Sequence, residues 1–421
     1  MTRTLLGALL PLAVIAAPAS PAETLRVTLD EAVALLRRQN PEVLSAALRV
    51  RAAGGDLAAS RRFPNPVLSV GAGNFPVGRT NPPGLGVGDT AIEQVGVAEE
   101  LVLWGKRGAK IAAAGGKQAA AAETRADVER ELAFEVRARF AALLVTSERL
   151  RLAEQNLDRY RELVRVSGAR AKAGEIPGAE FDKISLEQRT FERERDDADV
   201  ERRRTVAELL PLLGADAADV VPVGDLRLPD APTDAERLAA DALGRRPDVR
   251  AAEREVEAAD AALRLAQAER WPNVTVGVQY THDQFTISGD LPNSIAGNVS
   301  LPIPVLDQNQ GQITRAESEA MIARHDLEKL RLSVPQEVRA AVHEYEVARG
   351  RVDRFEHGFL READDARHAA EVAYREGAIT LLEFLEAERT WIDAHRDHLD
   401  ALKDGFTAAF DVERAAALET P

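Results

Sequence analysis

Residues 41–71, PEVLSAALRVRAAGGDLAASRRFPNPVLSVG, return at residues 247–277 as PDVRAAEREVEAADAALRLAQAERWPNVTVG, 206 positions later and without a gap. Pro41, Val43, Ala52, Pro66, Val70 and Gly71 recur as Pro247, Val249, Ala258, Pro272, Val276 and Gly277, while Ala58 gives way to Arg264. A second pair lies at offset 203: Gly174-Glu175-Ile176 and Glu180-Phe181 recur as Gly377-Ala378-Ile379 and Glu383-Phe384. Copies about 200 residues long mark a duplicated domain, not a short solenoid repeat. The chain reads as an export signal (1–22), a first structural repeat (23–215), a linker (216–234) and a second repeat (235–417).

Both copies follow one grammar. A helix opened by a first-turn proline comes first, Pro41–Arg62 and Pro247–Arg270. Two strands joined by a Gly/Pro/Asn-rich loop follow, and then two long helices. The expected strands are Val67–Phe75 and Ile92–Leu103, then Asn273–Phe285 and Ile295–Ile303, the latter two around a loop containing Ser288-Gly289-Asp290. Val274, Val276, Val278 and Tyr280 fall on one face, with Thr275, Gly277 and Gln279 on the other. Val95, Val97, Leu101 and Leu103 repeat the pattern, with Glu99 as an exception. About ten alternating residues suit a membrane barrel strand, and equally one solvated face of a soluble sheet. Four strands cannot close a barrel, since about eight are needed, so a spanning sheet requires several chains.

The helices are long. Arg107–Lys172 would reach about 100 Å at 1.5 Å per residue. Val136, Leu143, Leu150, Leu157 and Val164 sit seven apart, a coiled-coil seam. In the second copy Ile313, Ala316, Ala320, Ala323, Leu327, Leu330 and Val334 step by 3 and 4. The rhythm slips at Pro335 and resumes through Val338, Ala341, Tyr345, Ala348, Val352, Phe355 and Phe359. A proline there predicts a bend that the first copy lacks. Returning helices are expected over Ala179–Leu213 and Leu381–Ala417.

The net charge of −15 argues against nucleic acid, which needs clustered Lys/Arg. The absence of cysteine removes disulfides, thiol catalysis and zinc–thiolate sites. Arg3, the apolar run Leu5–Ala17 and small residues near Ala22 form an export signal. No later stretch has the roughly 18 uncharged apolar residues of a membrane helix.

No motif for catalysis or a cofactor stands out. Gly116-Lys117-Gln118 lacks the other glycine and the Ser/Thr of a phosphate loop. His395 and His398 could form a metal pair, but the preferred reading is two solvated surface histidines, so no metal site is assigned. The charge runs Glu192–Arg204 and Arg361–Arg367 read as solvated helix faces. Glu383 and Glu386, three apart beside the Gly377 turn, could line an acidic ring in a symmetric oligomer or simply favour a helix N-terminus.

The chain resembles the TolC-like outer membrane factors of Gram-negative tripartite exporters. The resemblance rests on Arg61-Arg62-Phe63-Pro64-Asn65-Pro66, Arg270-Trp271-Pro272-Asn273 and Tyr374-x-x-Gly377-x-Ile379, within a duplication of two strands per copy. Trp104-Gly105-Lys106-Arg107 and residues 301–311, LPIPVLDQNQG, look most like the branch paired with cobalt–zinc–cadmium pumps. The implied fold is mainly α with a small β part. Three chains would pool four strands each into a 12-stranded transmembrane barrel, continued by an α-helical barrel in the periplasm. The implied protein is not an enzyme and needs no cofactor. It would be a homotrimeric, passive outer-membrane duct serving a periplasmic adaptor and an inner-membrane pump of the resistance–nodulation–division (RND) type, with heavy-metal cations as cargo. A drug or protein duct, or an exported periplasmic coiled-coil scaffold, are the alternatives.

By position, Tyr374, Glu383 and Glu386 match the family's periplasmic gate. Gly174, Glu175, Ile176, Pro177, Gly377, Ala378, Ile379 and Thr380 match its adaptor-docking tips. Ile379 stands where some members carry a gate-locking Arg. Since the Tyr374/Glu383/Glu386 set faces Arg170, Glu180 and Lys183 in the first copy, the second copy's helix pair is expected to move and the first to serve as its frame.

Overall fold

A computed structural model describes residues 24–285 and 291–418. The export signal read over 1–22 and loop residues Ser288, Gly289 and Asp290 lie outside the described residues. The first half contains β1 (Thr24–Val27), α1 (Leu29–Gln39), α2 (Pro41–Ser60), β2 (Val67–Gly73), α3 (Val87–Thr90), β3 (Ile92–Leu101), α4 (Lys106–Lys172) and α5 (Gly178–Leu213). The second contains β4 (Asp219–Pro222), α6 (Ala235–Arg245), α7 (Pro247–Glu269), β5 (Val274–Asp283), β6 (Asn293–Ser300), α8 (Gln310–Arg354), α9 (Leu360–Arg375) and α10 (Leu381–Ala415). A π-helical turn, Phe355–Phe359, joins α8 to α9.

Two compact units take segments from both halves. One holds Met1–Asn40, Leu132–Pro229 and Ala348–Thr407; the other holds Pro41–Glu131, Asp230–Val347 and Ala408–Pro421.

The second unit carries a four-stranded antiparallel sheet in the order β2-β3-β5-β6. The register puts Val70, Val95, Tyr280 and Ile295 in one row and Leu68, Val97 and Val278 in the next. Glu99 sits in the following row beside Val276 and Val299. The opposite face carries Ser69, Gln94, Gln279, Thr281, Ser294 and Asn298. One face is thus an apolar band and the other polar. Ile295 is 76% exposed and Val70 75%, which is costly in water and favourable in lipid. Among the described residues, the outer edges of β2 and β6 have no strand partner. Beside the sheet, α4 crosses α7 so closely that a Cβ on Gly116 would lie 2.8 Å from that of Ala258, which explains a glycine inside a helix.

In the first unit β1 pairs parallel with β4. The stretch read as a linker therefore holds a strand, and residues 23–40 hold a strand and a helix that periodicity alone did not reveal. Thr28 and Glu31 form a capping box on α1. Gly214 ends α5 in left-handed geometry against the backbone of Gln39, a position no side chain could share. Asn40 donates to Leu212 O at 2.9 Å beside it.

The predicted seams are buried along much of their length, although Leu150, Val164 and Phe355 are only half-buried and Phe359 is 48% exposed. Val136, Leu143 and Leu157 line α4, while Val334, Val338, Ala341, Tyr345, Ala348 and Val352 line α8. An irregularity not read from the sequence lies beyond Pro335. Helix α8 continues through Pro335, whose missing N–H costs only one ladder bond. The backbone leaves helical geometry at His357 and Gly358. Helix α4 has no such interruption.

Candidate functional site

Both helix-to-helix turns lie in the first unit and share one construction. After α4, Gly174 adopts φ +78°, its N–H donates to Ala171 O, and the Glu175 N–H reaches back to Arg170 O at 2.9 Å. After α9, Gly377 adopts φ +74°, its N–H donates to Tyr374 O, and the Ala378 N–H reaches Ala373 O at 2.8 Å. These are Schellman turns, in which a residue without Cβ satisfies the last carbonyls of the helix. Glu175 and Thr380 are exposed, and Ile176 and Ile379 half-buried.

The turns differ on their outgoing side. Pro177 is the N-cap of α5 and offers no side-chain cap. Thr380 and Glu383 form a full capping box on α10. The Glu383 carboxylate accepts from the Thr380 N–H and hydroxyl, both at 2.8 Å, while Thr380 Oγ1 accepts from the Glu383 N–H at 3.3 Å. The backbone hydrogen bond from Thr380 holds the Glu383 carboxyl below the usual carboxylate range. Both carboxylates are exposed, but Glu383 is thus committed to ordering its own helix, whereas Glu386, one turn on, is no part of the cap.

Tyr374 ties the two turns together. Its ring stacks on Phe384 at 5.0 Å, and its hydroxyl donates to Glu180 of α5 at 3.2 Å. Burial raises the phenol pKa, and the nearby Glu180 charge raises it further. Below the rings lies a small apolar core of Ile184, Leu381 and Phe384, with Ile379 packed against it. Where an Arg lock could stand, Ile379 supplies apolar contact. Lys183 is exposed, and Arg170 pairs with Glu175 of its own turn at 3.3 Å.

A second cluster, unforeseen from the sequence, sits along the same helices. Trp391 is buried with Leu157, Tyr160, Phe191 and Ile392. Its indole N–H donates to Asp364 at 2.5 Å, and the guanidiniums of Arg159 and Arg367 lie 4.9 and 4.8 Å from its ring centre. Arg367 also approaches the buried Glu388 at 3.7 Å. Burial pushes the Glu388 carboxyl up against the pull of these arginines. Arg367 is therefore not part of a freely solvated face, as the charge run implied. The histidines are corrected too. His395 packs on Trp391 and approaches Asp364 at 3.9 Å, and His398 lies 3.6 Å from Glu356 in the π-helical turn. Both rings are half-buried, and no metal-binding cluster occurs among the described residues. Alternating charge at helical spacing gives no sign of which residues a neighbouring helix covers, so only the single Trp marked this region.

Helices α5 and α10 are further joined by Arg389–Glu187 at 2.7 Å and Arg396–Glu194 at 3.8 Å. None of these groups forms a nucleophile–base pair. The arrangement can hold helices together.

A family profile described as outer membrane efflux protein matches residues 32–215 and 238–416. Cobalt-zinc-cadmium resistance protein CzcC of Cupriavidus metallidurans is 26% identical over 390 residues, covering 92% of this chain and 89% of that protein. Pyoverdine export outer membrane protein OpmQ of Pseudomonas aeruginosa is 26% identical over 307 residues, covering 69% of this chain and 62% of OpmQ. Among solved structures, CusC superposes with TM-score 0.77 at 17% identity, covering 92% of this chain and 91% of its own. The CmeC outer membrane channel of Campylobacter jejuni superposes with TM-score 0.76 at 16% identity, covering 92% and 85%.

Proposed function

The chain belongs to the outer membrane efflux protein family, and from that premise we propose that three copies form the passive exit duct of a tripartite RND-type efflux system for heavy-metal cations. As a family member it resides in the Gram-negative outer membrane, with its helices in the periplasm, and it is not an enzyme. The periplasmic-scaffold alternative is thereby overturned.

The observation that carries the trimer is the sheet. Four strands, apolar on one face, leave two edges without strand partners, and lipid tolerates no open edge. Edge pairing between β2 and β6 of neighbouring copies closes twelve strands around a lumen lined by the polar face. The turns at Gly174–Pro177 and Gly377–Thr380 present the adaptor-docking tips. Tyr374 holds the gate closed through Glu180, and Glu386, repeated by the threefold axis, supplies the acidic ring that favours cations. Glu383 contributes to the gate by capping α10.

The cargo reading draws on CzcC, which aligns along 92% of the chain. Export of an organic molecule is the second reading, and OpmQ is the relative on that side. Deleting the gene in its host tests both. Sensitisation to cobalt, zinc, cadmium or monovalent heavy metals, with unchanged drug tolerance, is the expected result. Sensitisation to organic compounds alone overturns the metal reading and leaves the duct standing.

A further inference from the structure

We propose that the junction between the sheet and α4 and α7 is a binding rim for anionic phospholipid headgroups. The inference rests on the membrane reading above and adds a lipid preference to it. Three aromatic side chains project at this junction without burial: Phe63 is 65% exposed, Trp104 57% and Trp271 51%. Large rings with a polar edge, left exposed at the end of an apolar sheet face, match a bilayer interface rather than water.

Arginines accompany two of the three rings. The Arg107 guanidinium lies 4.3 Å from the centre of Phe63 and donates to Arg61 O at 2.7 Å. The Arg270 guanidinium lies 5.9 Å from the centre of Trp271. Trp271 in turn meets Trp104 at 5.8 Å.

The backbone is bent to place this cluster. Trp104 adopts φ +62°, a left-handed conformation that side-chain-bearing residues rarely take, and its indole N–H is fastened to Pro272 O at 2.9 Å. The ring itself remains 57% exposed.

The charge here runs against the rest of the molecule. The chain carries a net −15, yet residues 57–88 and 102–122 contain no Asp or Glu, while Arg61, Arg62, Lys106, Arg107 and Lys110 fall within them. Glu100 and Glu269 lie close enough to act on Lys106, but the arginines leave a local cationic excess that complements anionic headgroups, and the aromatic rings beside it fit the glycerol level of the bilayer. Arg61, Arg62 and Arg270 are exposed, and the Arg270 guanidinium donates to Gln308 at 2.9 Å, an exposed bond that a lipid phosphate can replace.

The three tryptophans of the chain provide the probe, because Trp391 is only 6% exposed and belongs to the other compact unit. The full chain is reconstituted in phosphatidylcholine vesicles that carry, at equal mole fraction, either brominated phosphatidylglycerol or brominated phosphatidylcholine. Flotation with the vesicles checks insertion first. The expected result is stronger quenching by the brominated phosphatidylglycerol, with a preference of roughly fivefold for each arginine–phosphate contact. R61Q/R62Q/R270Q brings the two lipids to equal quenching, and W104F/W271F leaves Trp391 emission that neither lipid quenches. Equal quenching of the unmodified chain by both lipids overturns the proposal, as does an undiminished preference in the arginine variant. A chain that floats with the vesicles but is quenched by neither lipid has this rim covered by neighbouring copies, which also overturns it while leaving the duct intact. A chain that does not float overturns the duct reading, and the rim falls with it.

Discussion

Helices α4–α5 and α9–α10 are two copies of one hairpin, and they are built to behave differently. Both turn through a glycine in left-handed geometry with the same pair of backbone hydrogen bonds. The first hairpin is entered by a 67-residue helix without interruption. The second is entered through a π-helical turn where the backbone leaves helical geometry at His357 and Gly358. A continuous helix transmits any displacement along its length, whereas a π-turn lets the following segment pivot. We propose that the duplication thus supplies a rigid frame and a movable partner from one plan. The links between them are local: Tyr374 to Glu180, Arg389 to Glu187 and the Ile184–Phe384 core.

The largest effect should come from making the second copy like the first. Deleting Gly358 removes the extra residue of the π-turn and restores an unbroken helix from α8 into α9. The trimer should still assemble on native gels, while metal tolerance drops to that of a strain lacking the duct. Full tolerance in this deletion would remove the pivot from the mechanism.

Loosening the link has a smaller effect. Tyr374→Phe keeps the stack on Phe384 and deletes only the hydroxyl that Glu180 accepts. At this half-exposed site the bond is worth about 1 kcal/mol, or roughly fivefold in the open-to-closed ratio. Single-channel recordings should show longer open times. Unchanged open times would assign the closed state to the apolar core instead.

The smallest effects concern the caps, where the hairpins differ most visibly. Thr380→Ala should cost ~1 kcal/mol at the start of α10, read as faster amide exchange there. Pro177→Ala should leave α5 nearly unaffected, because no side-chain cap is lost. The same box carries a pH dependence. The folded-state pKa of Glu383 lies below its ordinary 4.5, so its contribution is complete above pH 4.5 and is lost as pH falls through the lowered value. Exchange at the α10 start should rise in that acidic window in the wild type and stay flat in Glu383→Gln.

The sequence carried the long elements clearly. Seam residues such as Val136, Leu143, Val334 and Val352 repeat over many turns, and all four are buried as the period requires. Strand alternation likewise found β2, β3, β5 and β6 to within a few residues. Short elements escaped: β1 and β4 have four residues each and exist because they pair with one another across the repeat. The proline drew attention to its own position, and no local pattern marked the departure at Gly358. At the site, position along the chain brought Tyr374, Glu383 and Glu386 forward. It could not separate the capping carboxylate from the one outside the cap, because that division depends on Thr380 being an N-cap. The Trp391 cluster draws residues from α4, α5, α9 and α10, a convergence that no local pattern encodes.

The most direct test of a fixed first hairpin and a moving second one uses Glu180→Cys with Tyr374→Cys. The chain has no cysteine of its own, so these two are the only thiols. Conductance is recorded in planar bilayers before and after a short bis-thiol reagent bridges them. The account predicts that the unbridged double variant conducts more than wild type, and that bridging drives conductance below wild type. Conductance that is indifferent to the bridge would contradict it.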